Sequence, residues 1–438
     1  MMNLTLSLLA LTAVSGGTEP PDGLLAIRVD RAETIADGTM EHAVILVEDG
    51  KIVTIGEDLP IERGIPILDL PPGYVVLPGL VNCYSRAGMD SRGESDSAPQ
   101  LKASDELYPA SRVYGEVLEA GITTLGQYPA GNGIPGQAVA VRPLGETPEE
   151  MIVADSVYLK VILRASKTSK RMLRSGFSKL DEYLEKEKKN REKWEEKQEK
   201  KKKKKSKKKD DDKDKDDEDD EDKDDDDKKS ASGGDDDKKK DDEDDVYVPV
   251  ELKPDIEAFR QLRDKELRAL FSISRASEYL HLLDALGDED LDWDLRIPLT
   301  QNIDIFHVAD KIGDEGCRVV VEPSISLHPG TMRQRNLPAE LSRAGAKLVL
   351  IPRSDSLSSQ QSWLRHTGEM VAAGLDRQVA MRAMTLEPAE LMGLGERTGS
   401  LEEGKDANLL ILSGDPFEAG TKVKGVMVEG DFVYGEVQ

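Results

Sequence analysis

Residues 380–416 read AMRAMTLEPAELMGLGERTGSLEEGKDANLLILSGDP, and the change of pattern inside this stretch decides the fold. Helical residues give way, through SLEEGK, to the strand DANLLILSGDP, and VKGVMVEGDFVYGE continues as a second strand pair with Gly430-Asp431 as its turn. The front of the chain has the same grammar. LLAIRVDRAETI and HAVILVEDGKIVTIG are rich in Ile and Val, and Asp49-Gly50 marks a tight hairpin turn. Two short β segments thus flank everything else, and 22–74 with 400–438 are expected to meet in one small composite β-sandwich.

Between the flanks, strands and helices alternate. The helical YPASRVYGEVLEA precedes the strand GITTLGQYP, ALFSIS precedes EYLHLLDAL, IPLTQN precedes IDIFHVADKIGDEG, and YLKVILRA, CRVVVEPSIS and KLVLIPRS are further strands. Alternating β and α implies a parallel sheet. Residues 75–185 and 248–399 leave room for a barrel of the usual size, about 250 residues. The expected fold class is therefore α/β, a (β/α)8 TIM-type barrel with the composite β-sandwich.

The segment 186–247 interrupts this pattern. KEKKNREKWEEKQEK has opposite charges at i,i+4 spacing and reads as a barrel helix extended into solvent. From Lys201 to Asp245 the chain has too little apolar surface to offset chain entropy, so it reads as a disordered insertion. That tract holds 16 Lys against 23 Asp and Glu, so most of the net charge of −26 lies outside it. Such acidity argues against nucleic acid as a partner, because phosphate binding needs a positive surface.

Residues 1–16 have an apolar run from Leu4 to Val14 followed by small residues, which reads as a signal peptide and implies an exported, periplasmic or extracellular protein. No other segment approaches the length of a membrane span, so none is expected. Cys83 and Cys317 are the two cysteines, neither in a Cys-x-x-Cys spacing, and read as buried thiols. There is no Gly-x-Ser-x-Gly elbow, phosphate-cradling glycine loop or dinucleotide fingerprint.

Three stretches, VLPGLVN, GITTLGQYPAGNGIPGQAVAVRP and the opening 380–416 motif, resemble the imidazolonepropionase-like branch of the amidohydrolases. The resemblance implies hydrolysis of non-peptide carbon–nitrogen bonds, with one or two divalent ions such as zinc activating water at the C-terminal ends of the barrel strands. It also implies where ligands belong. In the family, His-x-His follows the first barrel strand, delivering both imidazoles to one ion; here Tyr84 and Arg86 stand at those positions. A guanidinium has no lone pair to give.

The other matching positions are also changed. The bridging acid after strand four falls near Ala165, Ser272 and Ser274 stand at strand five, and Gln301 and Asn302 stand where strand six supplies His. Asp355 is the one retained family acid. Of the histidines, His42, His281, His307 and His366 read as strand or helix residues, while His328 follows a strand and faces the mouth. The reading is a degenerate metal site, with no cofactor expected and an Arg86–Asp355 ion pair standing in for the ion. Such a pseudoenzyme would bind a small-molecule ligand or an intact paralogous hydrolase, as a homo- or hetero-oligomer. Two alternatives are an active carbon–nitrogen hydrolase with an ion held by Asp355 and His328, and a scaffold acting through the charged insert.

Overall fold

A computed structural model describes residues 23–93, 97–211, 246–298 and 304–435. The signal-peptide reading, most of the Lys/Asp tract, Gln301 and Asn302 lie outside the described residues.

The first five strands are β1 (Leu25–Glu33), β2 (Thr39–Glu48), β3 (Lys51–Glu57), β4 (Ile67–Asp69) and β5 (Val75–Pro78). The barrel strands follow: β6 (Leu80–Ser85), β7 (Ile122–Gln127), β8 (Gly136–Val141), β9 (Ile152–Ile162), β10 (Ala269–Ser272), β11 (Trp293–Arg296) and β12 (Arg318–Val321). A two-stranded hairpin, β13 (Ser326–Leu327) with β14 (Gln334–Arg335), precedes the last barrel strand, β15 (Lys347–Leu350). The chain then returns through β16 (Leu409–Leu412), β17 (Val423–Val428) and β18 (Asp431–Gly435).

The terminal segments meet as expected, in one continuous sheet of order β18-β17-β16-β5-β1-β2-β3, with β4 against β1. Strand β5 joins the halves, parallel to β1 and antiparallel to β16. The sheet curls round one core, because Ile27 and Val29 of β1, Ile45 of β2 and Ile52 of β3 share a cluster with Leu409, Ile411 and Met427. Strand β3 meets the segment leading into β16, where the Ile52 N–H donates to the Lys405 carbonyl at 2.9 Å.

At Gly79 the chain passes from this sheet to the barrel. The Gly79 N–H still donates to Asn408, whereas that of Leu80 donates to Gly121, on the barrel side. A Cβ at Gly79 would lie 2.2 Å from the Thr123 hydroxyl, so no larger residue allows the two layers to approach this closely.

The barrel sheet runs β15-β12-β11-β10-β9-β8-β7-β6. All neighbours are parallel except β8, which is antiparallel to both β7 and β9. The connection 128–135 explains this exception, since it is too short for the helical crossover that parallel strands need. Inward residues such as Val81, Ala138, Tyr158, Leu270, Val320 and Val349 form an inner cluster. Outward residues such as Leu125, Leu159, Val161 and Leu348 pack against the surrounding helices. Among the described residues no ladder joins β15 to β6, which leaves a seam. The helix Leu386–Leu391 packs against both of those strands.

The helix Lys167–Asp211 follows β9. Leu173, Phe177 and Leu180 bury its first turns, and the Phe177 ring meets Phe259 edge-on at 5.1 Å. Further along it is exposed and has i,i+4 pairs such as Arg191–Glu195 at 3.3 Å, as the charge spacing predicts. The chain returns beside it, where the Tyr247 hydroxyl donates to Glu187 at 2.8 Å.

Candidate functional site

Strand alternation sets what the barrel presents at its mouth. In β9, Leu159 and Val161 belong to the outer core and Tyr158 to the inner one, where its hydroxyl donates to the Cys83 carbonyl at 2.9 Å. Lys160 is the next inward residue, only 5% exposed. Arg296, one inward step beyond Asp294 on β11, is 6% exposed. Beneath them burial pushes the Cys83 thiol up to about 12, so it is an inert packing group.

Two stacked rings roof this layer. Tyr84, at the mouth end of β6, and Tyr128, just past β7, have centroids 4.0 Å apart. The Lys160 ammonium lies 3.7 Å from the Tyr128 centroid and 5.5 Å from that of Tyr84, and the Arg296 guanidinium lies 5.1 Å from the Tyr84 ring. Burial raises the pKa of both phenols above the usual tyrosine value. Burial, reinforced by the Arg86 and Arg296 charges, lowers Lys160 to about 7.

The neighbouring charges are paired. Arg296 forms an ion pair with Glu322 and donates to the Val320 carbonyl at 3.2 Å. The Arg86 guanidinium donates to the Tyr128 carbonyl (2.6 Å) and to the Ser91 carbonyl and hydroxyl (3.0 and 2.9 Å), with Glu106 at 3.6 Å. Lys160, by contrast, has no hydrogen-bond or ion-pair partner among the described residues; its contacts are the two rings.

Asp355 is at the mouth, but the expected Arg86–Asp355 ion pair does not form. One Asp355 oxygen accepts from the Ser85 hydroxyl at 2.7 Å and the other from the Arg86 backbone N–H at 2.9 Å. The guanidinium is drawn away by Glu106 and the two carbonyls. Nor does Asp355 cap the next helix, since that acceptor is the Ser356 hydroxyl, toward the Ser359 N–H. Asp355 instead clasps the seam, joining the segment after β15 to the end of β6.

Of the other sequence-derived positions, Ser272 is buried in the wall at the end of β10. The Ser274 N–H donates to Glu278 at 2.6 Å, within the start of the helix Ala276–Leu286. His328 follows β13, where its Nδ1 meets Arg335 at 3.1 Å and its ring lies 5.2 Å from Phe306. Lys160, Arg296, Tyr128 and Glu322 were absent from the sequence reading. Their signal is a charge at an inward position of a strand whose neighbours are apolar, in VYLKVI and in DLRIP.

Residues 360–434 match a family model described as amidohydrolase family. An amidohydrolase from Thermotoga maritima MSB8 superposes with a TM-score of 0.70 over 94% of this chain and 100% of that one, at 19% identity. The match to the amidohydrolase family thus covers residues 360–434, and over the rest of the chain the likeness is one of fold. A Xaa-Pro dipeptidase with bound methionine in its active site superposes at TM-score 0.51 and 13% identity, over 94% of this chain and 100% of that one. Molinate hydrolase does so at 0.50 and 14%, over 94% of each chain. At these identities the likeness carries the fold alone. A search of curated proteins finds no match.

The family resemblance implies a divalent ion, and among the described residues the donors at this mouth do not fit one. Two are cations without a ligand lone pair, Arg86 and Arg296, and Lys160 is a buried amine between them. Both Asp355 oxygens accept hydrogen bonds, and Glu322 is paired with Arg296. Among the described residues no three His, Cys, Asp or Glu side chains converge to hold an ion.

Proposed function

We propose that this amidohydrolase-superfamily chain has a degenerate metal site and is a pseudoenzyme that binds a small ligand, or an intact paralogous hydrolase, through its barrel mouth. One observation carries this reading. The layer where the superfamily's chemistry needs lone-pair donors is made of Lys160, Arg296 and a Tyr84–Tyr128 stack. The N-terminal apolar run supports export, and the acidic surface keeps nucleic acid out of the partner list.

The test is the metal content of the full-length protein by elemental mass spectrometry, after dialysis with zinc and then against zinc-free buffer. Isolated carboxylates of an acidic tract release their ions under those conditions, whereas a catalytic site retains them. The expected result is near-zero zinc per chain. One or two retained ions would overturn the reading and restore the active carbon–nitrogen hydrolase, to be assayed on cyclic amides and N-acyl compounds.

A further inference from the structure

The Lys160 amine is buried among charges that already have partners. Around it are Tyr84 and Arg86 from the first barrel strand and its continuation, Tyr128 beyond the second and Arg296 from β11, while Glu322 beyond β12 and Asp355 beyond β15 bear on Tyr84. Arg296 is matched by Glu322, Arg86 by Glu106, and Asp355 by the Ser85 hydroxyl and the Arg86 N–H. Lys160 is 5% exposed and has only aromatic faces. An ammonium has three donors and no acceptor, and a ring quadrupole replaces only part of its lost hydration.

We propose that Lys160 anchors a carboxylate-binding subsite at the barrel mouth, with Tyr84 and Tyr128 as its apolar wall, and that its ligand is a small monocarboxylate. The Lys160 ammonium lacks an acceptor, and a monocarboxylate supplies one with a single negative charge, whereas a phosphate dianion would bring twice the charge near Glu322 and Asp355. This inference rests on the metal-free reading above, because an ion in the mouth would itself be the anion's partner.

The pH dependence follows from the same geometry. Burial holds both tyrosines neutral, so above pH 7 carboxylate affinity follows the charge on Lys160, whose pKa burial and the two guanidinium groups lower to about 7. A bound carboxylate in turn favours the ammonium, so binding takes up a proton at pH 8.

The experiment is calorimetric titration of the full chain with acetate and benzoate, against acetamide and benzamide, between pH 6 and 9. The carboxylates are expected to bind at pH 6 and to weaken about tenfold for each pH unit above 7, and the amides not to bind. Lys160→Met should abolish binding with its circular dichroism unchanged. Lys160→Arg should keep binding and lose the pH dependence, so the subsite stays testable even if Lys160→Met does not fold. Equal binding by Lys160→Met, a flat wild-type profile, or no carboxylate binding at pH 6 would each overturn the subsite. Zinc measured on the same samples separates the two failures. Zinc-free protein that ignores carboxylates defeats the subsite alone, whereas retained zinc defeats the reading beneath it.

Discussion

The two ends of the barrel both bury charge, but they treat it differently. At the floor, Arg318 opens β12 and pairs with Glu387 at 3.3 Å and with Glu390, both on the helix that packs under the seam. Asp294 beside it accepts from the Arg318 N–H at 2.7 Å and from Arg268 at 3.0 Å. At the mouth, Lys160 is as deeply buried and has no such partner among the described residues. A buried charge whose bonds are complete holds a structure together. One whose bonds are incomplete destabilises the fold unless something else binds there, and that contrast marks the mouth as the site.

The contrast breaks most visibly at the floor. Arg318→Met strands Glu390 and leaves Glu387 with Arg382 alone, and should lower stability by about 3 kcal/mol in chemical denaturation. If it does not, the floor's pairing is not what closes the barrel.

The mouth should respond with the opposite sign. A lysine whose pKa falls on folding, here to about 7, opposes folding fully below pH 7. Between pH 7 and the ordinary lysine range the unfolded chain binds more protons, so wild-type stability rises with pH relative to a variant without the amine. Lys160→Met should therefore be the more stable protein by about 5 kcal/mol at pH 6, with the gap closing toward pH 10 in denaturation measured at several pH values.

Asp355 sharpens the comparison. It belongs to the mouth by position but is bonded like a floor residue, so Asp355→Asn should cost about 1–2 kcal/mol, read from the urea midpoint. The smallest effect is expected far from both ends. Removing the exposed Arg191–Glu195 pair by alanine substitution should change stability by no more than about 0.5 kcal/mol in the same assay.

Much of the fold was legible in the sequence because it rests on local signals. The hairpin turns at Asp49-Gly50 and Gly430-Asp431 announced the composite sheet, and the alternating segments announced the barrel. The reversed β8 was not announced, since AVAV suits a strand of either direction and only the short 128–135 connection decides it. The site was less legible. Sequence comparison directs attention to positions where ligands are missing, so Tyr84, Arg86 and Asp355 were found, while Lys160 and Arg296 were passed over. The sequence put Arg86 and Asp355 at the same mouth, but not which of Arg86's donors would face the carboxylate. Glu106 and the Tyr128 carbonyl decide that, and both are contacts made only by folding.

The seam between β15 and β6 has one more consequence. A cylinder laced along every line but one is a split collar, and the stiffness of a split collar depends on its fasteners. Here the lower fastener is the helix Leu386–Leu391 and the upper one is Asp355 on Ser85 and Arg86. Among the described residues no strand ladder crosses that line, so at the mouth end the two edges are joined by the two Asp355 hydrogen bonds, and lower down by packed helices.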